Sequence, residues 1–202
     1  MLKKIIFSIG LFCALNSLAQ ELKIVPFDAK QLPPEIKTKG KVVKVIKFMD
    51  ILGENLLVLT NTTPVHSQPK GSEAYDVYVY GHRFVKKNGK FEQLWMIQDW
   101  VKECDLDYYC EFILPSVTVT DLNQNGLAET SFLYKTACRG DVSPAVLKLI
   151  MHEGATKYAL RGRTLYVGEG GERTIDASFT KADKRLLDFA KKQWEKYKTE
   201  TP

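Results

Sequence analysis

Residues 75–101, YDVYVYGHRFVKKNGKFEQLWMIQDWV, decide the fold class. Two runs in which aromatic and branched residues alternate with polar ones flank KKNGK. Asn88-Gly89 supplies the left-handed backbone that a two-residue hairpin turn demands. A period of two marks strands buried on one face. The stretch therefore predicts a long antiparallel hairpin.

The same signature recurs on both sides. KVVKVIKFMD and ENLLVLTNT flank ILG, and SVTVTD and LAETSFLYKT flank a second Asn-Gly at 125–126. AVLKLIMHE and KYALRGRTLYVG are joined by GAT, while TTPVHSQPKGSE, with its prolines and glycine, reads as a loop. Only the end of the chain changes period. In TKADKRLLDFAKKQWEKYK, Thr180 and Asp183 form a capping pair, and Leu186, Leu187, Ala190, Trp194 and Tyr197 share one helical face. Strands do not alternate with helices, which excludes a dinucleotide or phosphoryl-transfer architecture. The expected fold is mainly β: an antiparallel hairpin meander, sandwich-like or a curved sheet, with one C-terminal helix. Its parts are an extended proline-containing arm over residues 20–40, a β domain over 41–179, and a helix over 180–198 packed on that domain.

Residues 1–19 read as a secretory leader. Lys3 and Lys4 precede an apolar run from Ile5 to Leu15 that is too short to cross a bilayer, and Ser17 and Ala19 place small residues before the expected cleavage point. A lipid anchor at Cys13 would need a small residue where Phe12 stands. The expected destination is the periplasm, the cell surface or the medium. Losing the two lysines takes the formal charge from +5 to +3, with acids and bases interspersed, which excludes a nucleic-acid stripe. The mature chain carries no second apolar run of membrane-spanning length. Export also permits disulfides. Cys104, Cys110 and Cys138 remain, an odd number, so one bridge and one free thiol is the simplest account.

One loop carries the clearest ligand chemistry. In DLNQNGLAE, residues 121–129, Asp121, Asn123 and Asn125 present side-chain oxygens at positions 1, 3 and 5. Gly126 allows a sharp turn, Leu127 offers a carbonyl, and Glu129 closes the set at position 9. Calcium takes such hard oxygen ligands from tight loops. Phe132 stands where an EF-hand would carry its bidentate acid, and the flanks are strands. The pattern is more similar to the calcium loops of integrin-type propeller repeats. The same residues also suit a metal-free turn, because Asn and Asp bond their own backbone.

Other features carry less. Asp99, Glu103, Asp105 and Asp107 could pair for glycoside chemistry, if the fold brought two together. Tyr78 and Tyr80 could face outward and stack sugars, although strands also favour Tyr for core building. Arg139-Gly140-Asp141 reads as a turn. Asn61-Thr62-Thr63 is a glycosylation sequon, and His66, His82 and His152 are scattered. There is no CxxC, HExxH, GxSxG or phosphate-loop motif, and nothing names a reaction.

LWMIQDWVKEC, the segment from Val119 to Gly162, and FAKKQWEK together resemble a family of small exported proteins of Bacteroidota loosely named "surface polysaccharide biosynthesis protein". CRGDVSP and TDLNQNGLAE are the distinctive elements. The resemblance implies association with surface polysaccharide without a defined catalytic role, and a Cys104–Cys138 bridge that leaves Cys110 free; a scaffold that binds another envelope protein through a sheet edge or the basic helix face is a competing reading. A Cys104–Cys110 bridge is the alternative and would close only a small loop.

Overall fold

The computed structural model describes residues 21–67 and 73–201; the leader expected over residues 1–19 lies outside them. The first sheet contains β1 (Lys23–Val25), β2 (Lys41–Asp50), β3 (Gly53–Asn61), β4 (Val65–His66), β5 (Tyr75–Lys87) and β6 (Lys90–Cys104). β1, β2, β3, β5 and β6 lie side by side, and β4 pairs with the start of β5. The second sheet runs in sequence through β7 (Asp107–Thr120), β8 (Glu129–Arg139), β9 (Val146–Glu153) and β10 (Thr156–Arg163). A small hairpin of β11 (Leu165–Tyr166) and β12 (Glu169–Gly170) follows, and then β13 (Arg173–Ile175) closes the far edge of β10. All these strand pairs are antiparallel.

The two sheets face each other, as the alternation requires. Phe48, Leu57, Leu59, Val79, Trp95 and Ile97 of the first meet Phe112, Phe132, Tyr134, Ile150 and Ala159 of the second. Gly81 lets the sheets pack tightly here: a Cβ there would lie 3.1 Å from the Phe132 ring and from Ile97. The expected turn at Asn88-Gly89 forms, with φ of 49° and 82°.

Each sheet also has an apolar outer face that needs a cover. On the second sheet the cover is the helix α1 (Lys184–Tyr197), which lays Leu186, Ala190 and Trp194 on Leu133, Leu147, Leu149, Met151 and Leu160. Full burial of side chains such as Leu186 stabilises by about 1.5–3 kcal/mol each, so this face alone holds the helix down. The helix begins later than the sequence suggests. Thr180 falls in a 3₁₀ turn (Ala177–Lys181), and Asp183 alone caps α1 by accepting the Arg185 backbone N–H at 2.8 Å. Beyond the helix, Glu200 clasps Thr164 at 2.5 Å and Arg139 at 2.8 Å.

The first sheet's cover is the N-terminal arm. It is more regular than expected, with β1 and a 3₁₀ turn (Ala29–Gln31), and it packs Phe27, Leu32 and Ile36 on Leu56, Val58 and Phe84. A second departure concerns residues 107–115, which lie outside the strand runs expected from sequence but form most of β7. Pro115 sits where the β7–β8 register lapses between Ile113 and Thr118. Ser116 mends the gap: its hydroxyl donates to the Ile113 carbonyl at 2.6 Å and accepts the Leu133 N–H at 2.8 Å.

Two links lock the sandwich. Cys104 at the end of β6 bonds Cys138 of β8, with 5.6 Å between the Cα atoms, joining one sheet to the other. Closing that loop contributes about 3–4 kcal/mol on the chain-entropy account. The second link is a wholly buried ion pair. Arg83 donates to Asp50 at 2.5 Å, to Asn55 at 3.0 Å and to the Ala128 carbonyl at 3.0 Å, with its guanidinium 5.0 Å from the centre of the Phe48 ring. Asp50 in turn accepts from Asn55 and from the Leu52 and Ala128 backbone. Removing one partner of such a pair strands the other charge. Arg83→Met is therefore expected to cost about 3–5 kcal/mol in urea unfolding, far more than an exposed Lys→Met change such as Lys90→Met; equal costs would remove this link from the account.

Candidate functional site

Residues 121–128 connect β7 to β8, and their course differs from the tight hairpin expected at Asn125-Gly126. Left-handed backbone falls at Gln124 (φ 59°) and Gly126 (φ 80°), which opens a wider loop. The side-chain oxygens turn inward. Asp121 accepts the Asn125 and Gly126 N–H groups at 3.1 and 2.9 Å, and Asn123 accepts that same Asn125 N–H at 3.2 Å. Asn125 accepts the Leu127 N–H at 2.8 Å. Glu129 is fully buried; one carboxyl oxygen takes the Thr120 hydroxyl and the Leu122 N–H, and the other has no partner. Burial raises the Glu129 pKa, and the charges of Glu153 and Asp121 push the same way.

The fold adds one residue that the loop motif does not contain. Glu153 ends β9 directly across from Glu129 and accepts the Asn123 and Asn125 amides at 2.5 and 2.8 Å. No local pattern points to it; only the β8–β9 register does. Arg185 of α1 approaches from outside, donating to the Asn123 carbonyl at 3.2 Å. Among the described residues no three acids, histidines or cysteines gather closely enough to hold a metal by themselves. A cation here would depend on the amide and backbone oxygens as well.

A second candidate lies on the outer face of the first sheet. Tyr78, Tyr80, His82 and Phe84 form a row along β5, with successive rings 6.2, 6.3 and 5.6 Å apart. Tyr78 and Tyr80 do point outward, but only Tyr78 is within reach of solvent. Tyr80 is 5% exposed, with Lys39 of the arm 5.9 Å from its ring centre. The open end of the row continues instead onto the edge strand β6, where Trp100 pairs with Tyr78 and is 47% exposed. Met96 on the same strand is 49% exposed. Lys102 places its ammonium 5.2 Å from the Trp100 ring centre and 5.9 Å from that of Tyr78. Sequence reasoning missed Trp100 and Lys102, though a signal existed. Met96, Gln98, Trp100 and Lys102 alternate with the inward-facing Ile97 and Val101.

The acidic residues considered for glycoside chemistry are not joined to one another by any hydrogen bond among the described residues. Asp99 turns between the sheets, bonding Tyr134 at 2.9 Å and pairing with Lys148. Glu103, Asp105 and Asp107 are exposed around the turn into β7. Cys110 is unbonded and half-buried, and burial with the nearby Asp99 charge pushes its thiol up to about 12, so it is a poor nucleophile. Arg139 of the Arg-Gly-Asp turn is 9% exposed and held by Glu200 and Ser143, so the tripeptide is not displayed. The sequon residue Asn61 is half-buried and reaches the Cys110 carbonyl at 3.5 Å. His66 lies tilted against Tyr75 with ring centres 4.6 Å apart, and His82 bonds Gln93 at 3.0 Å.

No family model, curated protein or solved structure matches the chain.

His152 stacks on Trp95 inside the sandwich, with ring centres 4.0 Å apart. Burial first, and the charges of Lys157 and Arg83 after it, lower its pKa to about 3. The unfolded chain takes up a proton as pH falls through about 6.5, while the folded chain does not until near 3. The lowered His82 acts in the same direction. Stability is therefore full above pH 7 and declines as pH falls, by about 2 kcal/mol from His152 between pH 6.5 and 5. Urea midpoints measured across that range should fall in the wild type and flatten in His152→Gln; an equal slope in both would assign the acid sensitivity elsewhere.

Proposed function

We propose that this is a non-enzymatic, exported envelope module that binds an anionic surface polysaccharide on the open face formed by Tyr78, Trp100 and Lys102. The observation that carries this reading is the placement of Lys102 beside both rings on a sheet face that the arm leaves uncovered. An exposed Trp next to a Tyr offers a flat, apolar surface with a negative π face. The C–H faces of pyranose rings suit such a surface, and its geometry costs little side-chain entropy. The ammonium adds a cation where the carboxylate of an acidic sugar would lie, and Lys102 has no salt-bridge partner among the described residues. Lys39, over the neighbouring Tyr80, extends the positive charge along the row. The leader expected over residues 1–19 and the sequence resemblance to exported Bacteroidota proteins support the compartment and the polysaccharide class in this reading.

Affinity electrophoresis of the mature protein in gels containing the host's purified capsular or exopolysaccharide tests this. Trp100→Ala is expected to reduce retention at least about five-fold, since one aromatic stack is worth about 1–3 kcal/mol by analogy with base stacking. Tyr78→Ala should do the same, while Lys102→Gln should remove the preference for acidic over neutral glycan and the sensitivity to salt. A folded Trp100→Ala, Tyr78→Ala double variant that migrates like the wild type would sink the proposal.

A further inference from the structure

We propose that residues 121–129, together with Glu153, form a calcium site that locks the junction of the two sheets and the helix. This assignment is independent of the glycan face. It begins with two like charges. Glu129 and Glu153 stand directly opposite each other on adjacent strands, an arrangement that is destabilising unless something positive lies between or beside them. Two cations bond the loop among the described residues, and neither reaches the facing carboxylates: Arg185 spends its donors on Asp183 and the Asn123 carbonyl, and Arg83 on Asp50, Asn55 and the Ala128 carbonyl. Glu153 receives only neutral amide and hydroxyl donors, and Glu129 keeps one carboxyl oxygen unfilled.

Glu129 supplies the independent sign of a ligand. Its residue exposure is 0%, and its second carboxyl oxygen has no donor. The first oxygen is pinned at the loop's entrance by Thr120 and Leu122, so the carboxyl cannot turn away to water. A buried acceptor left bare costs about 1–3 kcal/mol, more when charged. A hard cation would satisfy it.

The remaining oxygens suit the same occupant. Glu153 accepts hydrogen bonds and cannot donate when ionised, so the amide nitrogens of Asn123 and Asn125 must face it. Their Oδ1 atoms then face the loop. Asp121 and Asn123 already share a single N–H, which places their oxygens on one side. A backbone bond to an amide or carboxylate oxygen leaves a lone pair free for a metal. Asp121, Asn123, Asn125, the Leu127 carbonyl, Glu129 and Glu153 make six oxygen donors, the lower end of what calcium takes. Magnesium demands a stricter octahedron and gives up its waters reluctantly, so the set favours calcium. The loop also connects outward. Gly126 accepts the Ile51 N–H at 2.9 Å, and Ala128 bonds both Asp50 and Arg83. A bound ion would therefore brace the buried pair in the first sheet and, through Arg185, the start of α1.

The first experiment is terbium luminescence on the oxidised mature chain. The Tyr158 hydroxyl lies 3.4 Å from Glu153 and serves as the sensitiser. The expected result is tyrosine-excited terbium emission that calcium displaces with a midpoint of about 10⁻⁴ to 10⁻³ M, the range of extracellular modules. In parallel, 10 mM calcium should raise Tm by about 3–10 °C, and 10 mM magnesium should not. Glu129→Gln should abolish both effects, and Glu153→Gln should weaken calcium binding at least ten-fold. Glu153 is only half-buried, so its variant decides the matter if Glu129→Gln fails to fold. A folded wild type without calcium-displaceable emission overturns the assignment. So do emission and a Tm shift that survive unchanged in the folded variants, because the ion would then sit elsewhere.

Discussion

The buried pair of Asp50 and Arg83 is the constraint on which the rest of the sandwich depends. Apolar contacts between the sheets are strong but carry no direction, and several registers could bury the same leucines. A guanidinium taken fully out of water tolerates one arrangement, in which each N–H meets an acceptor. Here those acceptors come from the end of β2, from β3 and from Ala128 just before β8. The register of β5 against β3 and the position of the β7–β8 loop over the β2–β3 hairpin are thereby set together. Burial lowers the Arg83 pKa, and the Asp50 carboxylate opposes that by favouring the charged form.

From that inner layer the outer layers follow by demand for cover. Alternation in β8 and β9 leaves Leu133, Leu147, Leu149 and Met151 on the second sheet's back, where α1 closes over them. Among the described residues the first sheet's back is covered by the arm, which reaches Leu56, Val58 and Phe84 and, through Lys39, the edge of Tyr80. What stays open is the Tyr78 end and the edge strand with Trp100. The uncovered surface is thus a product of where the cover stops.

Much of the loop site was legible. The spacing of Asp121, Asn123, Asn125 and Glu129 identifies oxygen donors at alternate positions, and Gly126 does take the left-handed backbone expected of it. Glu153 was not legible, because its relation to Glu129 exists only through cross-strand pairing 24 positions away in the chain. The outward aromatics were half legible. Alternation placed Tyr78 and Tyr80 on one face, but whether a face is covered depends on a segment dozens of residues distant, which is why Tyr80 is sealed and Trp100 is open.

By itself the sequence determined the local quantities: period-two runs, the left-handed turn at Asn88-Gly89, the helical face of Leu186, Ala190 and Trp194, and the mainly antiparallel architecture they imply. These follow from backbone sterics and side-chain alternation over a few residues. It did not determine that residues 107–115 extend the strand back through Pro115, because that requires Ser116 to stand in for the lost ladder bonds. Nor did it determine which sheets the bridge of Cys104 and Cys138 would join, or that Asp50 and Arg83 would meet. Those were decided by the tertiary structure, since burial and pairing energies depend on distances that chain spacing alone does not set.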